Sequence, residues 1–94
     1  MNVNEMLAER KDRYGSFDTH SFISHSIKEA LRINGNMRSF PPNVIEALDM
    51  IAHKMARISN GDPFYLDNWV DIAGYAAILE EINSPTYVES AKPF

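Results

Sequence analysis

The residues best suited to chemistry in this chain are acidic side chains on two consecutive helical segments. They are Glu46, Asp49, Asp67 and Asp71. Carboxylates about one helical turn apart, facing a second pair on a neighbouring helix, form an oxygen-rich site of the kind that Mg²⁺ or Mn²⁺ prefers. These four acids are therefore the candidate metal ligands.

The aspartates of the second segment also have candidate partners within the protein. At 100° per residue, Asp71 falls between Ile78 and Ile82, and an unpaired carboxylate on such an apolar face is costly to bury. Lys54 and Arg57 lie near the end of the preceding segment, which an antiparallel arrangement brings close to Asp71. From these residues alone, we favour a structural ion-pair network over a metal site.

A charged row follows one side of the third helical segment at intervals of three and four residues: Glu46, Asp49, His53 and Arg57. Such rows usually form a solvated helix face with weak intrahelical pairs, and we favour that interpretation. The histidines lack metal-ligand spacing and are predicted to be exposed or satisfied in the core. No nucleophile–base motif is present, so the catalytic residues are unknown.

Hydrophobic periodicity and turn residues predict four helices and a tail. The helical segments run from about Val3 to Lys11, Phe17 to Asn34, Pro41 to Asn60 and Asp62 to Ile82. We predict an all-α fold without a sheet: a small helical bundle built on an antiparallel hairpin of the last two helices. Residues 1–82 would form one helical domain, and residues 83–94 a C-terminal tail, irregular or docked on a partner.

The third segment has the clearest apolar stripe, flanked by alanines. It consists of Val44, Leu48, Ile51, Met55 and Ile58. In the fourth segment, Gly74 lies among alanines, and such small residues favour tight packing against another helix.

Composition limits the classes of protein to consider. The 94 residues carry a net charge of −4, which argues against general nucleic-acid binding. The chain has no cysteine, no secretory signal at its N-terminus and no apolar run that could span a membrane. We therefore predict a cytoplasmic protein without a membrane partner. A domain this small is expected to complete its core as a homo-oligomer.

Several motifs resemble a family of small phage and prophage proteins, mostly described as domains of unknown function. The matching segments are Glu46 to Ile58, Asn60 to Pro63 and Asp67 to Ala76, with Arg13 to Phe17 as an N-terminal motif. The resemblance covers roughly Glu9 to Ile82. That family is similar, more distantly, to the MazG-like all-α nucleotide pyrophosphohydrolases.

The resemblance implies a MazG-like fold, a nucleotide ligand and a magnesium cofactor. By position, Mg²⁺ (or Mn²⁺) would be held by Glu46, Asp49, Asp67 and Asp71. Lys54 and Arg57 would bind phosphate oxygens. The implied reaction is hydrolysis of a nucleoside triphosphate to the monophosphate and pyrophosphate, in the cytoplasm of a bacterial host.

The acids depart from the MazG pattern, which keeps an alternative open. MazG-like enzymes carry E-x-x-E and E-x-x-D motifs, whereas here Glu46 is followed by Asp49 and the second pair is two aspartates four residues apart. The alternative is a non-catalytic phage protein that binds a host protein or sequesters a nucleotide signal, as an anti-defence factor would. Low mass, acidic charge and an aromatic tail suit that role.

Overall fold

The computed structural model describes residues 2–84, which fold into four α-helices and one short 3₁₀ helix. The α-helices are α1 (Val3–Tyr14), α2 (Phe17–Leu31), α3 (Pro42–Asn60) and α4 (Leu66–Asn83), and the 3₁₀ helix is Asn36–Ser39. Residues 2–84 contain no strand, so the all-α prediction is confirmed for them. Most of the predicted tail lies outside the described residues. Within the described part, no helix has the length and apolar character needed to cross a membrane.

Helix α3 is the element around which the others are arranged, because it contacts α1, α2 and α4. Its most extensive contact is with α4, and the two helices are joined by residues 61–65. Lys54 Nζ of α3 lies 2.8 Å from Asp71 Oδ2 of α4. The two segments predicted to pair therefore do pack on each other.

The most deeply buried line on α3 consists of alanines rather than of the predicted apolar stripe. Ala47, Ala52 and Ala56 are 5%, 1% and 0% exposed. Met55, which belongs to the stripe, is 48% exposed. Small side chains at the contact allow neighbouring helices to approach closely, so the larger apolar residues lie beside the contact and are only partly covered.

Two helix ends differ from the sequence prediction near glycines with a positive φ. Helix α1 continues to Tyr14 instead of ending at Lys11, and Gly15 follows it with φ of 75°. Helix α2 ends at Leu31 rather than Asn34. Gly35, with φ of 77°, then leads into the 3₁₀ helix, in which Met37 is buried. The 3₁₀ helix was not predicted.

Helix α4 begins at Leu66, with Tyr65 rather than Asp62 as the residue that precedes it, three residues later than the sequence predicts. The Asp62 carboxylate accepts a hydrogen bond from the backbone N–H of Phe64, at 2.9 Å, instead of capping a helix. The Trp69 indole N–H donates to the carbonyl of Pro63 at 2.7 Å. The aspartate and proline thus form a side-chain-stabilised turn, and the prediction of a helix start there is wrong.

Candidate functional site

A cavity of about 610 Å³ lies where α1, α2 and α3 meet. Eleven described residues line it: Met6, Leu7, Arg10, Lys11, Tyr14, Gly15, Ser16, Phe17, His20, His53 and Arg57. Three of them are permanent cations at neutral pH, and none of the eleven is an aspartate or glutamate. The cavity therefore combines an apolar wall with a concentration of positive charge, although the whole chain is acidic.

The cationic side chains of the cavity have no carboxylate partners in the described part of the chain. The ion pairs found there use Arg13, Arg32 and Lys54 instead. The Arg57 guanidinium stacks on the Tyr14 ring, 4.3 Å from its centre. This contact orients Arg57 without neutralising it. Uncompensated guanidinium and ammonium groups around one concave space favour an anionic ligand.

Two histidines that are far apart in sequence meet on the cavity wall. His20 Nε2 of α2 lies 3.3 Å from His53 Nδ1 of α3, and the rings meet edge to face with centres 4.5 Å apart. Burial, then the charge of nearby Arg57, lowers the pKa of His20. Burial, then proximity to His20, lowers the pKa of His53 to about 4. Both imidazoles are therefore neutral at pH 7.

Hydrogen bonds hold the corner between α1 and α2 against the C-terminal end of α3. The Asn60 side-chain amide donates to the carbonyls of Tyr14 and Ser16, at 2.9 Å each. The backbone N–H of Asp62 donates to the carbonyl of Arg13 at 2.7 Å. We call these three bonds the corner clamp. The clamp holds α1, with the cavity-lining cations Arg10 and Lys11, opposite Arg57 of α3.

Two glycines make the corner clamp sterically possible. A Cβ atom added to Gly15 would lie 2.1 Å from the carbonyl oxygen of Asn60. One added to Gly61 would lie 2.0 Å from the carbonyl oxygen of Arg13. Both distances are far below van der Waals contact, so a side chain at either position would push the two segments apart. The segments Arg13 to Phe17 and Asn60 to Pro63, which carry part of the family resemblance, thus form one contact.

The structure places the four candidate metal ligands in different surroundings. Asp49 accepts two hydrogen bonds from Arg32, at 2.9 and 2.8 Å, and Asp71 pairs with Lys54. Asp67 Oδ2 accepts from the Tyr65 hydroxyl at 3.1 Å, which raises the pKa of Tyr65. Glu46 is exposed. Among residues 2–84, no three acidic or histidine side chains are grouped to hold a metal, and the metal site stays a prediction.

The two predicted substrate-binding residues separate. Arg57 lines the cavity, whereas Lys54 points to α4 and pairs with Asp71, as the ion-pair interpretation predicted.

The charged row on α3 is not a solvated face, which corrects the sequence prediction. Asp49 bonds to Arg32 just beyond α2, His53 bonds to His20 of α2, and Arg57 stacks on α1. Of the row, only Glu46 is exposed. One signal in the sequence could have identified His53: it lies on the same side of α3 as Asp49 and Arg57, and that side faces other helices.

Comparison with known proteins gives a family but no described function. The model of a family called "Domain of unknown function (DUF6378)" matches residues 2–83. No curated protein matches the chain, and no solved structure matches it. The match includes the corner clamp, the cavity and all four acids.

Proposed function

This chain belongs to the DUF6378 family, and we propose that it binds a nucleotide in the cavity between α1, α2 and α3. The observation that carries the proposal is the charge of the cavity wall, which has Arg10, Lys11 and Arg57 and no described carboxylate. Nucleotide phosphates supply the compensating negative charge. Arginine can bind phosphate oxygens in a bidentate manner, and lysine binds them as a point charge.

The size and apolar part of the cavity also suit a nucleotide. A volume of about 610 Å³ is within the range of small-molecule sites, roughly 300–1,000 Å³. Tyr14 and Phe17 line the same space and offer aromatic surfaces on which a base can stack. The proposed pose places the phosphates among the cations and the base against these rings.

Hydrolysis of a nucleoside triphosphate remains part of the proposal through the resemblance to phage proteins and MazG-like enzymes. Magnesium would supply charge neutralisation and a water of lowered pKa. As they stand, however, Asp49 and Asp71 are paired with Arg32 and Lys54, so Mg²⁺ would have to compete with these cations for two of the four acids. We therefore assign no catalytic step to them. Nucleotide binding without turnover is the more economical function.

The second candidate function, binding to a second copy or to a host protein, is favoured by exposed apolar residues near the start of α4. Phe64, Leu66, Trp69 and Val70 are each at least half exposed. Exposed apolar groups of this size favour association. Light scattering on the purified protein distinguishes a homo-oligomer from a monomer. If the protein is a monomer, these apolar residues are not covered by a second copy, and a different protein is the remaining candidate partner.

Calorimetry with nucleoside mono-, di- and triphosphates, each with and without Mg²⁺, tests nucleotide binding. Arg57→Gln should weaken binding by tenfold or more, because a charge-assisted hydrogen bond contributes about 1.5–3 kcal/mol. Lys11→Gln, at an exposed position, should weaken it with little effect on folding. Arg32→Gln is the matched control, since it removes an arginine outside the cavity.

The same samples separate binding from catalysis. Release of pyrophosphate from a triphosphate only when Mg²⁺ is present, and its loss in Asp67→Asn, would establish the enzyme. Ligand recovered unchanged would establish binding alone. If no nucleotide binds at millimolar concentration, or if Arg32→Gln weakens binding as much as Arg57→Gln does, the proposal is wrong.

A further inference from the structure

The contact between His20 and His53 is compatible with either ring as the donor, and the burial of His20 Nδ1 decides between the two assignments. His20 Nδ1 is buried and has no hydrogen-bond partner among the described residues. A buried N–H without an acceptor is rarer and costlier than a buried acceptor without a donor. The proton of His20 therefore sits on Nε2, and this N–H donates to Nδ1 of His53.

The orientation of His53 follows from that of His20. Its Nδ1 accepts a hydrogen bond, so the proton of the neutral ring must be on Nε2. Nε2 of His53 has no hydrogen-bond partner in the described part of the chain, and it is not among the buried unpartnered atoms. Because the ring lines the cavity, His53 presents an uncharged N–H donor beside Arg57.

We propose that His53 donates this hydrogen bond to a terminal phosphate group, so that the cavity selects phosphomonoesters and polyphosphates over phosphodiesters. The inference rests on the proposed function, since it names the chemical class of ligand that the same cavity takes. A terminal phosphate has three unesterified oxygens, enough to accept from His53 and from two cations at once. A diester has only two.

Charge favours the same class of ligand. A phosphomonoester carries about −1.5 to −2 at pH 7, whereas a diester carries −1. The charged and titratable groups that line the cavity with His53 are Arg10, Lys11 and Tyr14 of α1, His20 of α2 and Arg57 of α3, and the charges of Lys28 and of Lys54, which is paired with Asp71, also act on His53. None of the described residues that line the cavity is an aspartate or glutamate. The group with the larger negative charge therefore gains more from the site, and its arrival makes protonation of His53 easier.

Calorimetry at pH 7 with adenosine 5′-monophosphate and 3′,5′-cyclic adenosine monophosphate compares the two classes on one base and sugar. We expect the 5′-monophosphate to bind at least tenfold more tightly. In His53→Asn, the amide oxygen keeps an acceptor for His20, whereas the amide N–H groups of the shorter side chain do not reach the position of Nε2, so most of this preference should disappear. His25→Asn, at an exposed position of α2, is the matched control.

Long-range ¹H–¹⁵N NMR reads the tautomers directly, and the chain has only three histidines to assign. His20 and His53 should both carry the proton on Nε2. Methyl phosphate should raise the pKa of His53 and shift its nitrogen resonances, whereas dimethyl phosphate should not. A purely structural histidine pair would respond to neither compound. His25 is the internal reference.

The outcomes separate this inference from the proposed function. If the two adenosine nucleotides bind equally and His53→Asn changes neither, phosphate selection by His53 is wrong while nucleotide binding stands. A proton on Nδ1 of His53 also overturns the inference. If methyl phosphate shifts His53 but no nucleotide binds, the phosphate site stands and the nucleotide proposal is wrong. If neither nucleotide nor methyl phosphate binds, both are wrong.

Discussion

Different sides of α3 carry similar charged residues, but those residues are paired with opposite charges on some sides and unpaired on another. Toward α4, Lys54 is paired with Asp71, and near the end of α2, Arg32 is paired with Asp49. Toward α1, Arg57 meets an aromatic ring and two more cations without a described carboxylate. Charges matched within the protein stabilise the arrangement of helices. Charges left unmatched around a cavity indicate a ligand of opposite sign.

The largest effect is expected from breaking the clamp that creates the unmatched side. Gly15→Ala places a Cβ atom against the Asn60 carbonyl and forces alanine into a backbone conformation, φ 75° and ψ −166°, that is essentially restricted to glycine. That conformation alone costs about 1–3 kcal/mol, and the overlap adds to it. We expect urea unfolding to show a loss of at least about 2 kcal/mol. Nucleotide binding should weaken in parallel.

The matched control is Gly74→Ala on α4. A Cβ atom at Gly74 meets nothing within 4 Å, and the residue is exposed. Alanine is better than glycine in a helix by about 1 kcal/mol, so this variant should be more stable than the natural chain. Equal effects of the two substitutions would contradict the role of the clamp. Within residues 2–84 no other helix packs on Gly74, so the prediction of tight packing there is wrong for the described part of the chain.

The next effect concerns pH and the histidine pair. In the unfolded chain histidine takes up a proton near pH 6.5, whereas His53 in the folded protein does so only near pH 4. Unfolding therefore takes up protons in this window, and the free energy of unfolding falls as the pH drops from 6.5 to 4. His20, whose pKa is also lowered, adds to the trend. Melting temperatures measured across this range should decline.

The carboxylates titrate in the same window, so the contribution of the histidines must be isolated by comparison. The decline should be shallower in His53→Asn than in the natural chain and unchanged in His25→Asn. Parallel curves for all three proteins would show that protonation of the histidine pair does not govern stability.

The smallest effect is expected on the matched side. Asp71→Asn leaves Lys54 without its partner, and we expect a loss of about 0.5–1 kcal/mol because Asp71 is partly exposed. Asp67→Asn, which removes a carboxylate without an ion pair, should change stability less. If Asp71→Asn instead abolishes Mg²⁺ binding without lowering the melting temperature, Asp71 is a metal ligand, and its pairing with Lys54 is not its main role.

Local patterns were sufficient to predict the helices and one ion pair. The apolar spacing and the glycine and proline positions predict four helices, and a short turn between α3 and α4 predicts that Lys54 comes close to Asp71. These features depend on residues that are near in sequence. Helix ends were less predictable, because Asp62 had equivalent hydrogen-bonding choices in a cap and in a turn.

The cavity was not predictable in the same way because its walls come from three separate helices. His20 and His53 are 33 residues apart, and each by itself has the spacing of an ordinary helical residue. From the sequence alone, the charged row that contains His53 has the pattern of a solvated helix face, because nothing in the sequence shows that α2 packs over it. Arg57 was identified from the family resemblance, whereas Arg10 and Lys11 had no pattern that distinguished them from other surface charges.

The corner clamp has a kinetic consequence. Helix α1 contains no fully buried residue, and the corner clamp joins positions 46 residues apart. We therefore expect α1 to dock only after the C-terminal end of α3 has formed. The amide protons of α1 should therefore exchange with solvent earlier than those of α3. An anion that bridges Arg10 and Arg57 would hold α1 against α3 and make undocking of α1 rarer. Binding of an anion in the cavity would then slow amide hydrogen exchange along α1, although α1 itself contributes little to the core.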